Sequence, residues 1–141
     1  MSEELIVRKE IEIAAKPSEV WKVLTKSEFI KQWDELPEDF LTEFISLGTV
    51  IEWEGFSKLT VTGFDPENFL KFSLYLPQVE LDPSQYDIFY SYTLRSQNSK
   101  TIMIVEIGDF SPIPNGEDYY EASLEFAEEG GAKIKKLSES L

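Results

Sequence analysis

The chain has 141 residues, 42% of them hydrophobic and 13% aromatic, enough apolar side chains for one domain and too many for a disordered segment. Lys and Arg number 13 against 27 Asp and Glu, and the formal charge of −14 argues against nucleic acid and anionic membranes, leaving at most a basic partner. There is no Cys and no His, so disulfides, thiolate or histidine metal sites, thiol nucleophiles and Ser-His-Asp triads are excluded.

The opening residues lack a charged-then-apolar signal pattern, and no apolar run is long enough to span a bilayer, so a cytoplasmic protein is expected. Leu5 to Ala14 alternates, with Val7, Lys9, Ile11 and Ile13 on one side and Arg8, Glu10 and Glu12 on the other, as in a half-exposed strand. Pro17 ends it and suits the first position of a short helix that buries Val20, Trp21 and Leu24. Ser27 is placed to cap a second helix, Glu28 to Trp33, with Phe29, Ile30 and Trp33 inward.

Asp34 to Asp39 is acidic, contains Pro37 and reads as a loop. Phe40 to Trp53 reads as one strand or two, with Gly48 at a bulge or turn, and Ser57 to Phe64 as the next strand. Asp65-Pro66-Glu67-Asn68 is a turn. Phe69 to Leu76 alternates, with Leu70, Phe72, Leu74 and Leu76 on one face. After a loop from Pro77 to Gln85, Tyr86 to Arg95 places Ile88, Tyr90, Tyr92 and Leu94 together. Ser96 to Ser99 turns the chain into a last strand, Lys100 to Gly108.

Asn115 to Leu141 reads as one long helix. Tyr120, Leu124, Ala127, Gly131, Ile134, Ser138 and Leu141 recur on one face, with acidic residues early and lysines late. Strands joined by short turns imply an antiparallel sheet, and helices on one face of it make the class α+β in a single domain, 1–141.

Several motifs carry a family resemblance. The stretch Ile11 to Thr25, strand-Ala-x-Pro-x-x-Val-Trp-x-x-Leu-Thr, resembles the opening of the START-like (SRPBCC, birch-pollen-allergen-like) superfamily. Within it, Ser27-Glu28-x-Ile30-x-x-Trp33 is similar to the family related to the activator of heat shock protein 90 ATPase. Gly63-Phe64-Asp65-Pro66 followed by Phe69-Leu70-x-Phe72-Ser73, and Lys100-Thr101-x-Met103-x-Val105, are similar to that family's later strands. The resemblance implies a helix-grip fold: a curved antiparallel sheet of about six strands wrapped around the long C-terminal helix, with two short helices after the first strand. The space between sheet and helix is then often a cavity for an apolar ligand. Two positions depart from the pattern: Gly130 is followed by Gly131 rather than Trp, and no Arg-x-Gly-Gly is recognisable in Glu38 to Gly48. What relatives bind therefore need not be what this chain binds.

Trp53, Leu74, Tyr90, Tyr92 and Met103 are the strand residues placed to face a helix stripe of Tyr120, Leu124, Ala127 and Gly131. They would either wall a ligand cavity, with the phenols orienting the guest, or fill an ordinary core. Gly130-Gly131 would leave room for a ligand, permit close approach of the sheet, mark a kink, or precede the start of the helix proper. The acidic runs Asp34 to Asp39 and Glu80 to Pro83 lack the pattern of a calcium loop and read as solvated charge, and Val79 and Leu81 would form a lid. Glu52, Glu106 and Arg95 read as surface charges, and no metal, cofactor or catalytic residue is specified. The leading expectation is a non-catalytic domain that binds a small hydrophobic or amphipathic molecule. The alternatives are a protein-interaction module resembling the chaperone ATPase activators, and a cyclase- or hydrolase-like enzyme requiring a buried carboxylate in the cavity.

Overall fold

The computed structural model describes residues 4–77, 79 and 81–141; Met1–Glu3, where part of the signal-pattern expectation falls, and Gln78 and Glu80 of the expected loop lie outside the described residues. Strand β1 (Val7–Ile13) leads into helices α1 (Pro17–Thr25) and α2 (Ser27–Trp33). Then come β2 (Val50–Trp53), β3 (Ser57–Asp65), β4 (Phe69–Tyr75), β5 (Ile88–Gln97) and β6 (Lys100–Gly108), and α3 (Gly116–Glu139) follows. The strands form one antiparallel six-stranded sheet in the order β1-β6-β5-β4-β3-β2. After β1 the chain crosses to the far edge, builds a meander back through β2 to β6, and lays α3 against β1, α1 and α2. This is the α+β helix-grip architecture. Among the described residues, no helix is long and apolar enough to cross a membrane.

Local chemistry accounts for most boundaries. In β1, Val7 and Ile13 are buried while Arg8, Glu10 and Glu12 are exposed, as alternation requires. Pro17 opens α1, and the Lys16 N–H donates to Glu19 Oε1 at 3.2 Å. Between β5 and β6, Asn98 and Ser99 both adopt positive φ, 49° and 68°, which gives a two-residue hairpin whose twist matches its strands. A register shift between Val61 and Gly63 puts a bulge in β3, where local twist helps the sheet curl. The core fills that concavity, with Leu24, Leu70, Ile88, Met103, Ile107 and Ile134 fully buried.

Two expectations need correction. Phe40 to Trp53 contributes only β2, because residues 43–45 serve the helix junction instead of the sheet. Ser27 N–H donates to the Glu43 carbonyl at 2.8 Å, Ile45 N–H donates to the Thr25 carbonyl at 2.9 Å, and Lys26 bridges to Phe44. For the same reason Lys26, shared by both helix ends, occupies the cap of α2, and Ser27 is its first residue with no side-chain cap bond.

Helix α3 runs unbroken through Gly130-Gly131. Glu117 and Asp118 lie in its first turn and Lys136 in its last, matching the helix dipole. Its C-terminal half is tied to the end of β1. The Ala14 N–H donates to Glu139 Oε2 at 2.8 Å, and Lys135 Nζ donates to the Glu12 carbonyl at 2.9 Å. Leu141, expected on the inner stripe, lies beyond the helix and is half exposed.

Candidate functional site

An open groove of about 900 Å³ runs between α3 and the concave face of the sheet. The end of α2 supplies Lys31 to Glu35, and the β2–β3 hairpin supplies Trp53, Phe56, Ser57 and Leu59. Leu74 of β4 and Tyr90 of β5 complete the sheet wall. The helix wall is Tyr119, Ala122, Ser123, Phe126, Glu129, Gly130 and Lys133, which recur in steps of three and four.

Trp33 anchors the α2 side. Buried at the helix end, it donates its indole N–H to the Val23 carbonyl at 2.9 Å. Its ring meets Tyr92 edge-on at 6.0 Å and Phe126 at 6.5 Å, and Phe126 in turn meets Tyr90 edge-on at 5.9 Å. These aromatic contacts join α2, α3 and β5 and hold the groove's inner end in shape.

The residues expected at the site separate into groups. Trp53, Leu74 and Tyr90 line the groove. Tyr92, Ala127 and Gly131 instead surround a closed pocket with no space for a water molecule. Met103 is fully buried in the core, while Tyr120 and Leu124 are half-buried against the core and outside the groove. The groove-facing stripe of α3 starts at Tyr119, one residue before the expected one, a rotation of about 100°. Glu52 and Arg95 are exposed and Glu106 is partly exposed, as expected of surface charges. Val79 and Leu81, read as a lid, pack partly on the core and do not line the groove. Glu80 of the second acidic run is outside the described residues.

The two glycines behave differently. A Cβ on Gly131 would collide with the Ile11 Cδ1 atom of β1, so this glycine permits close helix–sheet approach and leaves no gap for a ligand. A Cβ on Gly130 would lie 3.8 Å from Phe126 and 3.9 Å from the Trp33 carbonyl, in ordinary contact. Gly130→Ala is therefore expected to stabilise the protein by about 0.5–1 kcal/mol through helix propensity alone. Urea unfolding reads this out, and a loss of stability would mean that the groove edge has no room for a methyl group.

Asp34 is the polar centre of the site, and sequence reasoning passed over it as part of a solvated run. It ends α2 directly after Trp33, so burial of the indole draws it inward. Its Oδ1 accepts the Glu35 N–H at 2.8 Å. Burial pushes its carboxyl from the ordinary 3.8 up to about 6, against the pull of that hydrogen bond; the Glu35 charge adds to the rise and the Lys133 ammonium opposes it. Burial likewise raises the Tyr90 phenol to about 12, with the Asp34 charge adding and Ser123 opposing. Tyr92 is also raised well above the ordinary phenol range, by burial first and then by Asp34 and Tyr90. Both phenols are thus neutral at physiological pH. Among the described residues, no group of three or more Asp or Glu is placed to hold a metal ion.

By sequence, no family model and no curated protein matches the chain. Solved structures do match in fold. Protein MLL2253 from Mesorhizobium loti is 20% identical with a TM-score of 0.73, the match covering 94% of this chain and 95% of that one. CalU16 from Micromonospora echinospora is 15% identical at a TM-score of 0.63, covering 99% and 92%. A subunit of the Aha1 dimer from Colwellia psychrerythraea is 16% identical at 0.60, covering 88% and 96%. At these identities the likeness establishes the fold alone.

Proposed function

We propose that the chain acts as a single helix-grip domain that binds a small hydrophobic or amphipathic molecule in the groove, without transforming it. The observation that carries this reading is the groove itself: about 900 Å³, walled by Trp33, Trp53, Phe56, Tyr90, Tyr119 and Phe126. That volume suits a small-molecule site, and so does the chemistry of apolar walls with a few polar groups, here Asp34, Ser123 and Tyr90. Burying the guest's apolar surface at about 25 cal/mol per Å² would supply most of the affinity.

Ala122 is exposed on the helix wall, so Ala122→Trp should plug the groove without disturbing the core. Titration with aminoanthracene is expected to show saturable binding that weakens at least tenfold in Ala122→Trp, with an unchanged circular dichroism spectrum. No dye binding to the wild-type protein, or equal binding by both forms, would sink the reading.

A protein-interaction role like that of the chaperone ATPase activators draws support from a different surface. The segment crossing to β2 exposes Leu41 at 90%, Leu47 at 64% and Phe44 at 52%, more apolar side chain than solubility favours. A partner captured at low salt and lost in Leu41→Asp would favour that role over the groove. A cyclase- or hydrolase-like role would rest on Asp34, since perturbed carboxylates in clefts commonly act as acids or bases.

A further inference from the structure

Five charged side chains border the groove, and they differ in burial. Lys31, Glu35, Glu129 and Lys133 are exposed at its rim, where water screens them. Asp34 alone is drawn inward, near the neutral Tyr90 and Tyr92 phenols, whose ionisation its charge opposes, and near the Lys133 ammonium. It forms no ion pair among the described residues. Its Oδ1 is occupied by the Glu35 N–H, while Oδ2 has no hydrogen-bond partner among the described residues. That oxygen is open to water, and a cation or donor that replaces the water there gains a charge-assisted hydrogen bond.

The surroundings suit a cation. The rings of Trp33, Trp53, Tyr90 and Phe126 stand around the same space, and their faces attract positive charge. The formal charge of −14 draws cations towards the protein and repels anions. The two rim lysines are outnumbered by Asp34, Glu35 and Glu129.

We infer that the groove selects an amphipathic molecule carrying a protonated amine, its ammonium group paired with Asp34 and its apolar body against Trp53, Tyr90 and Phe126; this rests on the ligand-binding reading of the same groove. An ammonium ion donates to the spare oxygen and offsets the burial that otherwise holds the carboxyl high. The pairing needs the ionised acid, so amine binding should weaken as pH falls through about 6. Over that range the Tyr90 and Tyr92 phenols, raised by burial, stay neutral.

Three probes of one shape test the inference by isothermal titration calorimetry: naphthylethylamine, naphthylethanol and naphthylacetate. At pH 7.5 the amine is expected to bind about tenfold tighter than the alcohol, and the acetate weakest. Asp34→Asn should bring the amine to the level of the alcohol, and Lys133→Gln, which removes an exposed cation, should strengthen amine binding about twofold. An amine no better than the alcohol, or a preference that survives in Asp34→Asn, would overturn the inference while leaving the groove a ligand site. Tightest binding by the acetate would do the same and point to the rim lysines. Failure of all three probes to bind would overturn the inference and the ligand-binding reading together.

Discussion

Asp34→Asn is expected to raise stability by about 2–3 kcal/mol at neutral pH, which is unusual for a substitution at a partly buried polar residue. The carboxyl titrates near 6 in the folded chain and near its ordinary 3.8 when unfolded. Above both values each state holds the charge, and the folded state bears the cost of keeping it out of water. As pH falls from about 6 to about 4 the folded state takes up its proton first, so this group's destabilisation is progressively relieved; below about 4 it is gone. The difference in unfolding free energy between Asp34→Asn and wild type should therefore be largest above pH 6 and vanish towards pH 4. Taking the difference removes the opposing contribution of Asp109, whose hydrogen bonds from Ser111 and Leu5 hold its carboxyl low despite burial, and whose stabilisation is lost on acidification. Asparagine can still accept the Glu35 N–H, so the local turn should survive. A difference that is flat with pH would show that the Asp34 carboxylate is well solvated. A stabilising loss of charge is what a site held ready for a cation would show, since stability is commonly given up at binding sites.

Trp33→Ala should have the largest effect of any single change at the site, a loss of about 3–5 kcal/mol, because it removes a buried indole and leaves a cavity. It also leaves the Val23 carbonyl without its 2.9 Å donor, and deprives Tyr92 and Phe126 of their ring partner. For a chain of this length the midpoint of thermal unfolding should fall by roughly 10–20 °C. Trp33→Phe keeps most of the packing and loses the hydrogen bond, so it should cost about 1–3 kcal/mol. Denaturant titration of both variants separates packing from polar pairing. If Trp33→Ala cost less than about 1 kcal/mol, α2 would not be fastened through this residue, and the inner end of the groove would need another anchor.

The strands, the two short helices and the long helix were legible because their signals are local. Alternation in β1, Pro17 at the start of α1, the Asp65 to Asn68 turn and the acid-to-base gradient of α3 act within a few residues of the chain. The residues 40–49 were misread for the converse reason. Their strand-like composition is real, but Glu43 and Ile45 spend backbone groups on the α1–α2 junction, a demand that only the crossing path creates, while Gly48 and Thr49 bond Val61 of β3.

The lining of the groove was half legible. Trp53, Leu74 and Tyr90 followed from alternation, which leaves only two faces to choose between. On α3, periodicity identifies a stripe but not what each flank of it touches, and small residues such as Ala122, Ser123 and Gly130 carry too little hydrophobic signal to reveal the groove wall. Asp34 was hidden by its neighbours: beside Glu35, Glu38 and Asp39 it looks like one more solvated charge. The sequence by itself determined the α+β class, most of the element order and a helix with a glycine pair. Only the tertiary structure decided how α3 is rotated, that a side chain at Gly131 would meet Ile11 while one at Gly130 would make ordinary contacts at the groove, and that burial of Trp33 carries a carboxylate inward. The physical reason is that rotation and desolvation depend on atoms distant in the chain, and neither leaves a periodic trace in the sequence around it.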